Sequence, residues 1–420
     1  MVERDHQEAG VKVMVEGEEE EERELIPGEV CALEILPHLP GKDLLQQMNT
    51  KPVCKDWATL IGTPYFARLH LSRASSNVYQ TTPRIRVLKP VHSCRYFLKE
   101  PQELDVGIHE YDNYCSEEEK DKIIPYPPVI SQFHTIIVGS VDGLICLLDM
   151  DYRLLMEQYK FTICNPSTRR FFSVRLPCLL QILRCWFGGG IAAAGEYVLV
   201  LLQGISGLNF EFVVYKFTGS SSNSSLKRIR STLAHLHNPN GYLVTGDVYR
   251  RDRGILVHGA IYWLIQWANA DIIAQTNHQY LHRYTIISYH LQSNTCVHFS
   301  PPVQYCDFRL GAMDDGCLCA TLKKWGDSSV FELWVRKESR WTKHANIEGF
   351  NNFRVLSPLG FFPNTIGGDF LVGADDQLIK YNFHHNQAVL LKDYVCPGNQ
   401  AIMCADTLVS PSICRSGLIS

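Results

Sequence analysis

Apolar and polar positions follow two different periods along this chain, a helical one near its start and a strand-like one over most of the rest. Between Ile26 and Leu71 the helical period dominates. Cys31, Ile35 and Leu39 form one apolar stripe and Val30, Leu33 and Leu36 a second, which predicts a helix contacted on two sides. Pro37 is expected to end or distort it, and Pro40-Gly41 reads as a turn into the short apolar segment Leu44-Leu45. In VCKDWATLI (53–61), Val53, Trp57, Leu60 and Ile61 share one face. A third helix is therefore expected from about Pro52 to Ile61, stopped by Gly62 and Pro64. Helices this short bury little surface by themselves and need a partner surface or an adjoining domain.

Beyond about residue 80 the pattern changes to short apolar runs punctuated by Gly, Pro, Asn and Asp, among them GLICLLD, EYVLVLL, FEFVVYKF and VFELWV. FTICNPSTRRFFSVRLP, FVVYKFTGSSSNSSLKRI, IISYHLQSNTCVHFSPP, FELWVRKESRWTKHANI and QLIKYNFHHNQAVLLKD share one layout: an apolar strand, a polar turn and a second strand. Each outlines a hairpin. Their first strands recur about every 50 residues, apart from one longer interval that holds the stretch from GSSSNSSLK to LAHLHNPNG, expected to be an extended loop. The fold class predicted is α+β, multidomain: a small N-terminal helical unit, then a mainly antiparallel β domain forming a kelch-like β-propeller, with a β-sandwich as the structural rival. The division is a tail at 1–24, the helical unit at 25–72, the β domain at 73–411 and a second tail at 412–420.

Composition narrows the function classes. The 420 residues are 45% hydrophobic and 20% charged with a formal net charge of −4, a globular composition without the broad basic field that attracts nucleic acid. VEGEEEEERE at 15–24 is an acidic block whose self-repulsion predicts a disordered, solvated tail. The 15 cysteines are scattered without C-x-x-C spacing, and no apolar leader opens the chain. They read as reduced core thiols of a cytoplasmic or nuclear protein. YVLVLL at 197–202 is the longest apolar run and far shorter than the roughly 20 residues that span a bilayer, so no membrane is expected.

Motifs of catalytic chemistry are set aside on spacing. Gly188 to Gly190 with Gly195 match no phosphate-loop pattern and read as a glycine-rich hairpin connection. His235, His237, His258, His384 and His385 lack the partners of a structural zinc site, so no metal or cofactor is expected. Cys317 and Cys319 face one side of a strand, as residues packed between blades do, while Asp314-Asp315-Gly316 and Asp375-Asp376 read as turns. No nucleophile motif of the G-x-S-x-G type occurs. The enzymatic alternative is a β-fold hydrolase with its site at one end of the β domain.

IPGEVCALEILPHLPGKDLL followed by VCKDWATLIGTPYFARLHL resembles the F-box, with Glu34-Ile35-Leu36, Leu39-Pro40, Lys42, Leu44-Leu45, Val53-Cys54-Lys55, Trp57, Leu60-Ile61, Pro64, Phe66 and His70-Leu71 in the family's order. VGSVDGLICL, ICNPSTRRFFSVRLP, GILVHGAIYWL, ELWVRKESRWTK and DTLVSP resemble successive landmarks of the F-box-associated domain of flowering-plant F-box proteins. The chain departs from the F-box pattern by extra residues before Glu34 and around QMNTKP, where Pro52 stands, and by Pro37-His38. The resemblance implies a three-helix F-box docked on the Skp adaptor of a Skp–cullin–F-box ubiquitin ligase, linked through it to cullin and RING subunits. It implies that the β domain holds the protein to be ubiquitinated and that the chain carries no catalytic residue. Adaptor contacts, or their support, are implied at Ile26, Pro27, Leu39, Pro40, Leu44, Leu45, Val53 and Trp57. Candidates for substrate contact are His235, His237, Tyr262 and Trp267, since Tyr and Trp are favoured interface anchors, whereas Trp263 within AIYWLI reads as core. The other functional reading is a non-degradative scaffold with a divergent F-box.

Overall fold

The computed structural model describes residues 36–39, 44, 55–76, 84–88, 107–111, 122–125, 135–151, 158–176, 182–189, 196–206, 209–218, 225–232, 241–243, 253–269, 283–303, 307–313, 315–323, 330–350, 353, 356–361, 369–374, 377–382, 385–393, 401–404 and 407–411. The acidic block 15–24, the tail 412–420 and Asp375-Asp376 lie outside them. A 3-10 turn at Leu36–His38 precedes helices α1 (Lys55–Ile61) and α2 (Pro64–Ser76). Most of the helix expected before Pro37 falls outside the described residues, and the part within them is this single tight turn, consistent with a proline that cannot continue an α-helix. Pro64 opens α2 instead of stopping the chain's helical course, because proline's missing N–H is harmless in a first turn. That helix runs to Ser76, past the boundary expected at residue 72.

Among the described residues, the strands after α2 form six antiparallel sheets. The first holds β1 (Arg84–Leu88), β2 (Gly107–Tyr111) and β3 (Lys122–Pro125); the second β4 (Thr135–Val141), β5 (Leu144–Asp151), β6 (Gln158–Asn165) and β7 (Arg170–Leu176). The third holds β8 (Ile182–Gly189), β9 (Glu196–Ser206), β10 (Asn209–Thr218) and β11 (Ser225–Thr232). In the fourth, β12 (Gly241–Leu243) and β13 (Ile255–Val257) share one edge of β14 (Ala260–Asn269), followed by β15 (Arg283–His290) and β16 (Thr295–Phe299). The fifth holds β17 (Asp307–Ala312), β18 (Leu318–Lys323), β19 (Phe331–Lys337) and β20 (Arg340–Ile347), and the sixth β21 (Leu356–Phe361), β22 (Asp369–Ala374), β23 (Gln377–Asn382) and β24 (Gln387–Asp393). Finally β25 (Ala401–Cys404) returns to pair antiparallel with β1 and completes the first sheet. A strand from each end of the domain thus closes the ring, leaving only short outer edges.

This is a propeller and excludes the sandwich. All five hairpins read from sequence are present, as β6–β7, β10–β11, β15–β16, β19–β20 and β23–β24, the two outer strands of five successive sheets. Their near-constant spacing follows from one hairpin per blade. The long interval contains β12 and β13 as well as connecting chain, so it is in part an inner strand split in two.

Strand chemistry explains the stacking. In β9, Leu199 and Leu201 join a core cluster with the second sheet, while Val198, Val200 and Leu202 join a cluster with the fourth. Both faces are buried, so the period-2 alternation is apolar on both sides. Leu264, Tyr284 and Ile286 meet Phe308, Leu310 and Leu322 between the fourth and fifth sheets, and Cys319 with Cys317 packs against Leu356, Phe370 and Tyr381 between the fifth and sixth. Cys317 and Cys319 therefore stand where the sequence placed them. Ile402 and Cys404 of the closing strand pack on Ile137, Ile145 and Leu147. Asp142-Gly143 and His258-Gly259 both have positive φ, as two-residue turns matched to strand twist require.

Burial pushes the Cys185 thiol up to about 12, and burial followed by the neighbouring Asp315 raises Cys319 further. Thiolate is the reactive form. Iodoacetamide at pH 8 is therefore expected to leave both unmodified in the native protein and to label both in denaturant. Peptide mapping that finds either labelled at native rates equal to denatured ones would contradict this packing.

Candidate functional site

The helical unit is built from short pieces held by capping and a shared core. At the α1–α2 junction the Thr63 hydroxyl donates to Leu60 O (2.7 Å) and accepts from the Phe66 N–H (3.1 Å), the N-cap bond of α2. Leu36, Leu44, Ile61 and Phe66 form the core, with Trp57, Leu60 and Ala67 packed beside them. His70, fully buried, donates from Nε2 to Leu39 O (2.9 Å) and stacks on Phe66 with ring centroids 6.5 Å apart. A histidine and a leucine that sequence gave only as part of a pattern thus have separate jobs. His70 ties α2 to the turn after Leu36–His38, and Leu71 packs against the cluster between the second and third sheets.

The core of this unit has a fifth member from the other end of the chain, Leu408. Its neighbours anchor the segment to the propeller. Asn165 Nδ2 donates to Thr407 O (2.9 Å) and Val409 O (2.8 Å), and the Thr407 hydroxyl donates to Asp142 O (2.6 Å). Val409 enters the cluster between the second and third sheets. Asp142 is in turn held by the Tyr197 hydroxyl (3.2 Å); burial raises its pKa, and that hydrogen bond partly opposes the rise. Segment 407–411 is a strap, one leucine in the helical core and the next valine in the propeller core.

Of the residues implied to meet an adaptor, Leu39 is exposed (39%), Leu44 is buried (1%) and Trp57 is half-buried. Leu44 faces inward, in one cluster with Leu408 and with Ile61 and Phe66 of the helices. Ile26, Pro27, Pro40, Leu45 and Val53 lie outside the described residues.

Strand direction alternates within each sheet, so turns joining first to second and third to fourth strands open on one face, and connections between sheets on the other. The strap meets the first face at Asp142, in the β4–β5 turn, and at Asn165, at the β6–β7 turn. The connection 233–240, with His235 and His237, lies outside the described residues, but Thr232 and Gly241, which flank it, are at the opposite face. Trp267 pairs with Leu243 near that face. Tyr262 does not join it: five residues earlier on β14, about 17 Å away, it is half-buried edge-to-face on Phe299. Trp263 is fully buried, as the sequence indicated, and its Nε1 donates to Cys185 O (3.3 Å).

Along the propeller axis runs a cavity of about 270 Å³ lined by inner-strand residues of all six sheets. Arg253 and Arg309 are its charged residues. Arg253 is half-buried, and burial pulls its pKa down to about 10, leaving it cationic at neutral pH. Among the described residues no group of three or more His, Cys, Asp or Glu is placed to hold a metal ion, and no helix is long and apolar enough to cross a membrane.

No protein-family model matches the chain. It is similar to the Arabidopsis thaliana F-box protein DOR, 24% identical over 246 residues that cover 54% of this chain and 55% of that protein. A second Arabidopsis thaliana F-box protein is 24% identical over 246 residues, covering 58% of this chain and 52% of its own. The chain thus spans about half the length of the curated relatives it matches. Among solved structures, TolB of Acinetobacter baumannii aligns at a TM-score of 0.40 and 10% identity, covering 78% of this chain and 69% of that one. The Aleuria aurantia lectin aligns at 0.37 and 9% identity, covering 66% and 82%.

Proposed function

We propose that this chain is the substrate-recognition subunit of a Skp–cullin–F-box ubiquitin ligase, acting in the cytoplasm or nucleus. The observation that carries this reading is its similarity to F-box proteins over more than half of its length. A helical unit clamped onto one face of a propeller supports it. In this reading residues 25–72 form the three-helix F-box, and the propeller is a kelch-like F-box-associated domain. Ile26, Pro27, Leu39, Pro40, Leu45 and Val53 meet the Skp adaptor, while Leu44 and Trp57 support that surface from within. The protein to be ubiquitinated binds the opposite face, near the connection 233–240 and Trp267. The chain contributes no catalytic group. Ubiquitin transfer belongs to the RING subunit and its conjugating enzyme, and this chain supplies proximity by holding substrate beside them.

Affinity purification of the tagged chain with the proteasome blocked is expected to recover Skp, cullin and RING subunits. Recovery of other partners without any of the three would favour the scaffold reading. Leu39→Asp is expected to weaken adaptor binding about 10- to 100-fold, since covering one leucine side chain contributes about 1.5–3 kcal/mol. Unchanged binding in a variant with unchanged circular dichroism would remove Leu39 from the interface.

A further inference from the structure

We infer that the outer edge of the second sheet is a docking surface for an acidic chain segment, and that its resident occupant is this chain's own acidic block at 15–24. On β7 and the turn before it, Arg169, Arg170 and Arg175 are exposed, with exposed Phe171 among them. β7 ends the order β4-β5-β6-β7, so among the described residues no strand covers its outer edge. The charge of this strip has one sign. Between Glu157 and Glu196 the sequence holds five basic residues, Lys160, Arg169, Arg170, Arg175 and Arg184, and no acidic one. Across the ladder Asp149 faces Lys160 and Lys160 faces Arg175, which leaves the carboxylate on the inner side of that row and a cation at its rim. None of the ion pairs among the described residues involves the three exposed arginines.

Position and charge select the occupant. Asn165, buried at the end of β6 and paired with Arg170 across the ladder, accepts on Oδ1 from the Ser167 N–H (2.9 Å) and fixes the turn that presents Arg169 and Arg170. The same side chain donates to Thr407 O and Val409 O, on either side of Leu408, and Leu408 shares a core with Leu36. The acidic block is therefore tethered close to the strip. Glu24 precedes Leu36 by 12 residues, a reach of about 40 Å when extended, and β7 itself spans only about 23 Å. The block carries seven glutamates and one arginine. Exposed ion pairs are individually weak, but a short tether holds the second partner at millimolar effective concentration, so several weak pairs together suffice. Held there, the block closes the strip to other acidic segments until it is displaced. The inference does not depend on adaptor capture.

Phenylglyoxal labelling of the full chain, read arginine by arginine by peptide mapping, tests this. At an ionic strength of about 20 mM, Arg169, Arg170 and Arg175 are expected to react at least about threefold more slowly in the wild type than in a variant carrying Glu18→Gln, Glu19→Gln, Glu20→Gln, Glu21→Gln and Glu22→Gln. Arg340, exposed on β20, is expected to react alike in both. In about 0.5 M sodium chloride the difference should vanish, because the Debye length shrinks to about 4 Å. Protection in the wild type should not change with protein concentration. Equal labelling of wild type and variant at low salt overturns the proposal, and a matching change at Arg340 would mark a general charge effect and overturn it as well. Protection that grows with concentration would give the strip to the block of a second copy, and protection seen only on adding polyglutamate would give it to a separate acidic partner; either result overturns the tethered occupant.

Discussion

A Leu408→Asp variant is expected to lose the folded helices α1 and α2 while keeping its propeller. Leu408 is 7% exposed and shares a core with Leu36, Leu44, Ile61 and Phe66. Truncating such a leucine costs about 2–5 kcal/mol, and a carboxylate left in that apolar site adds more. A unit of a few short turns has little stability to lose. The propeller should survive, because Asn165 and Thr407 hold the strap from their own side and the sheets' cores do not include Leu408. Hydrogen exchange read by mass spectrometry is expected to show lost protection across residues 55–76 and retained protection in β9 and β14. Leu408→Met, which nearly preserves volume, should cost less than about 1.5 kcal/mol and keep the helices protected. Full protection of 55–76 in Leu408→Asp would show that the strap is not what completes the helical core.

Trp263→Ala is the substitution expected to damage the propeller most. The indole is fully buried between the third and fourth sheets, its ring centroid 6.0 Å from that of Phe212, and its Nε1 bonds to Cys185 O. Losing that volume costs about 3–5 kcal/mol. Urea denaturation should show a lower midpoint with an unchanged slope. Trp263→Phe should lose less, since an aromatic ring is kept and Cys185 O still accepts from the Gly254 N–H (3.4 Å). Equal loss in both variants would assign the effect to the hydrogen bond over the packing.

The parts of this fold that local pattern encodes were legible. Hairpins such as β19–β20 join strands close in sequence, and their turn residues announce them; the buried centre of β9 announces itself as VLVLL. Recurrence of Tyr-x4-Asn, where the Tyr289 and Tyr381 hydroxyls bond to the Asn294 and Asn386 side chains, marks the outer hairpins of two blades and was there to be read. The first sheet was not, because RIRVL, GIHEY and KIIP are short and β1 finds its inner partner at Ala401–Cys404, a pairing no local period reports. For the same reason DTLVSP was visible as a landmark, but not as the segment that carries Leu408 into the helical core. The helix expected to stop before Gly62 and Pro64 does end at Ile61, but Pro64 also opens the next helix, for which Thr63 before it is the capping signal. Arg253 and Arg309 stand in RDRGILV and DFRLGA among other charged residues, and their place in the wall of the axial cavity becomes visible only once those strands are known to face the axis.

The most direct test of the ligase reading is calorimetric titration of the purified chain with a purified Skp adaptor. Saturable one-to-one binding is expected, weakened about 10- to 100-fold by Leu39→Asp and abolished by Leu408→Asp, whose helices are lost. A folded wild-type chain that gives no binding at any adaptor concentration would contradict the assignment and leave the propeller as an interaction scaffold outside the ligase.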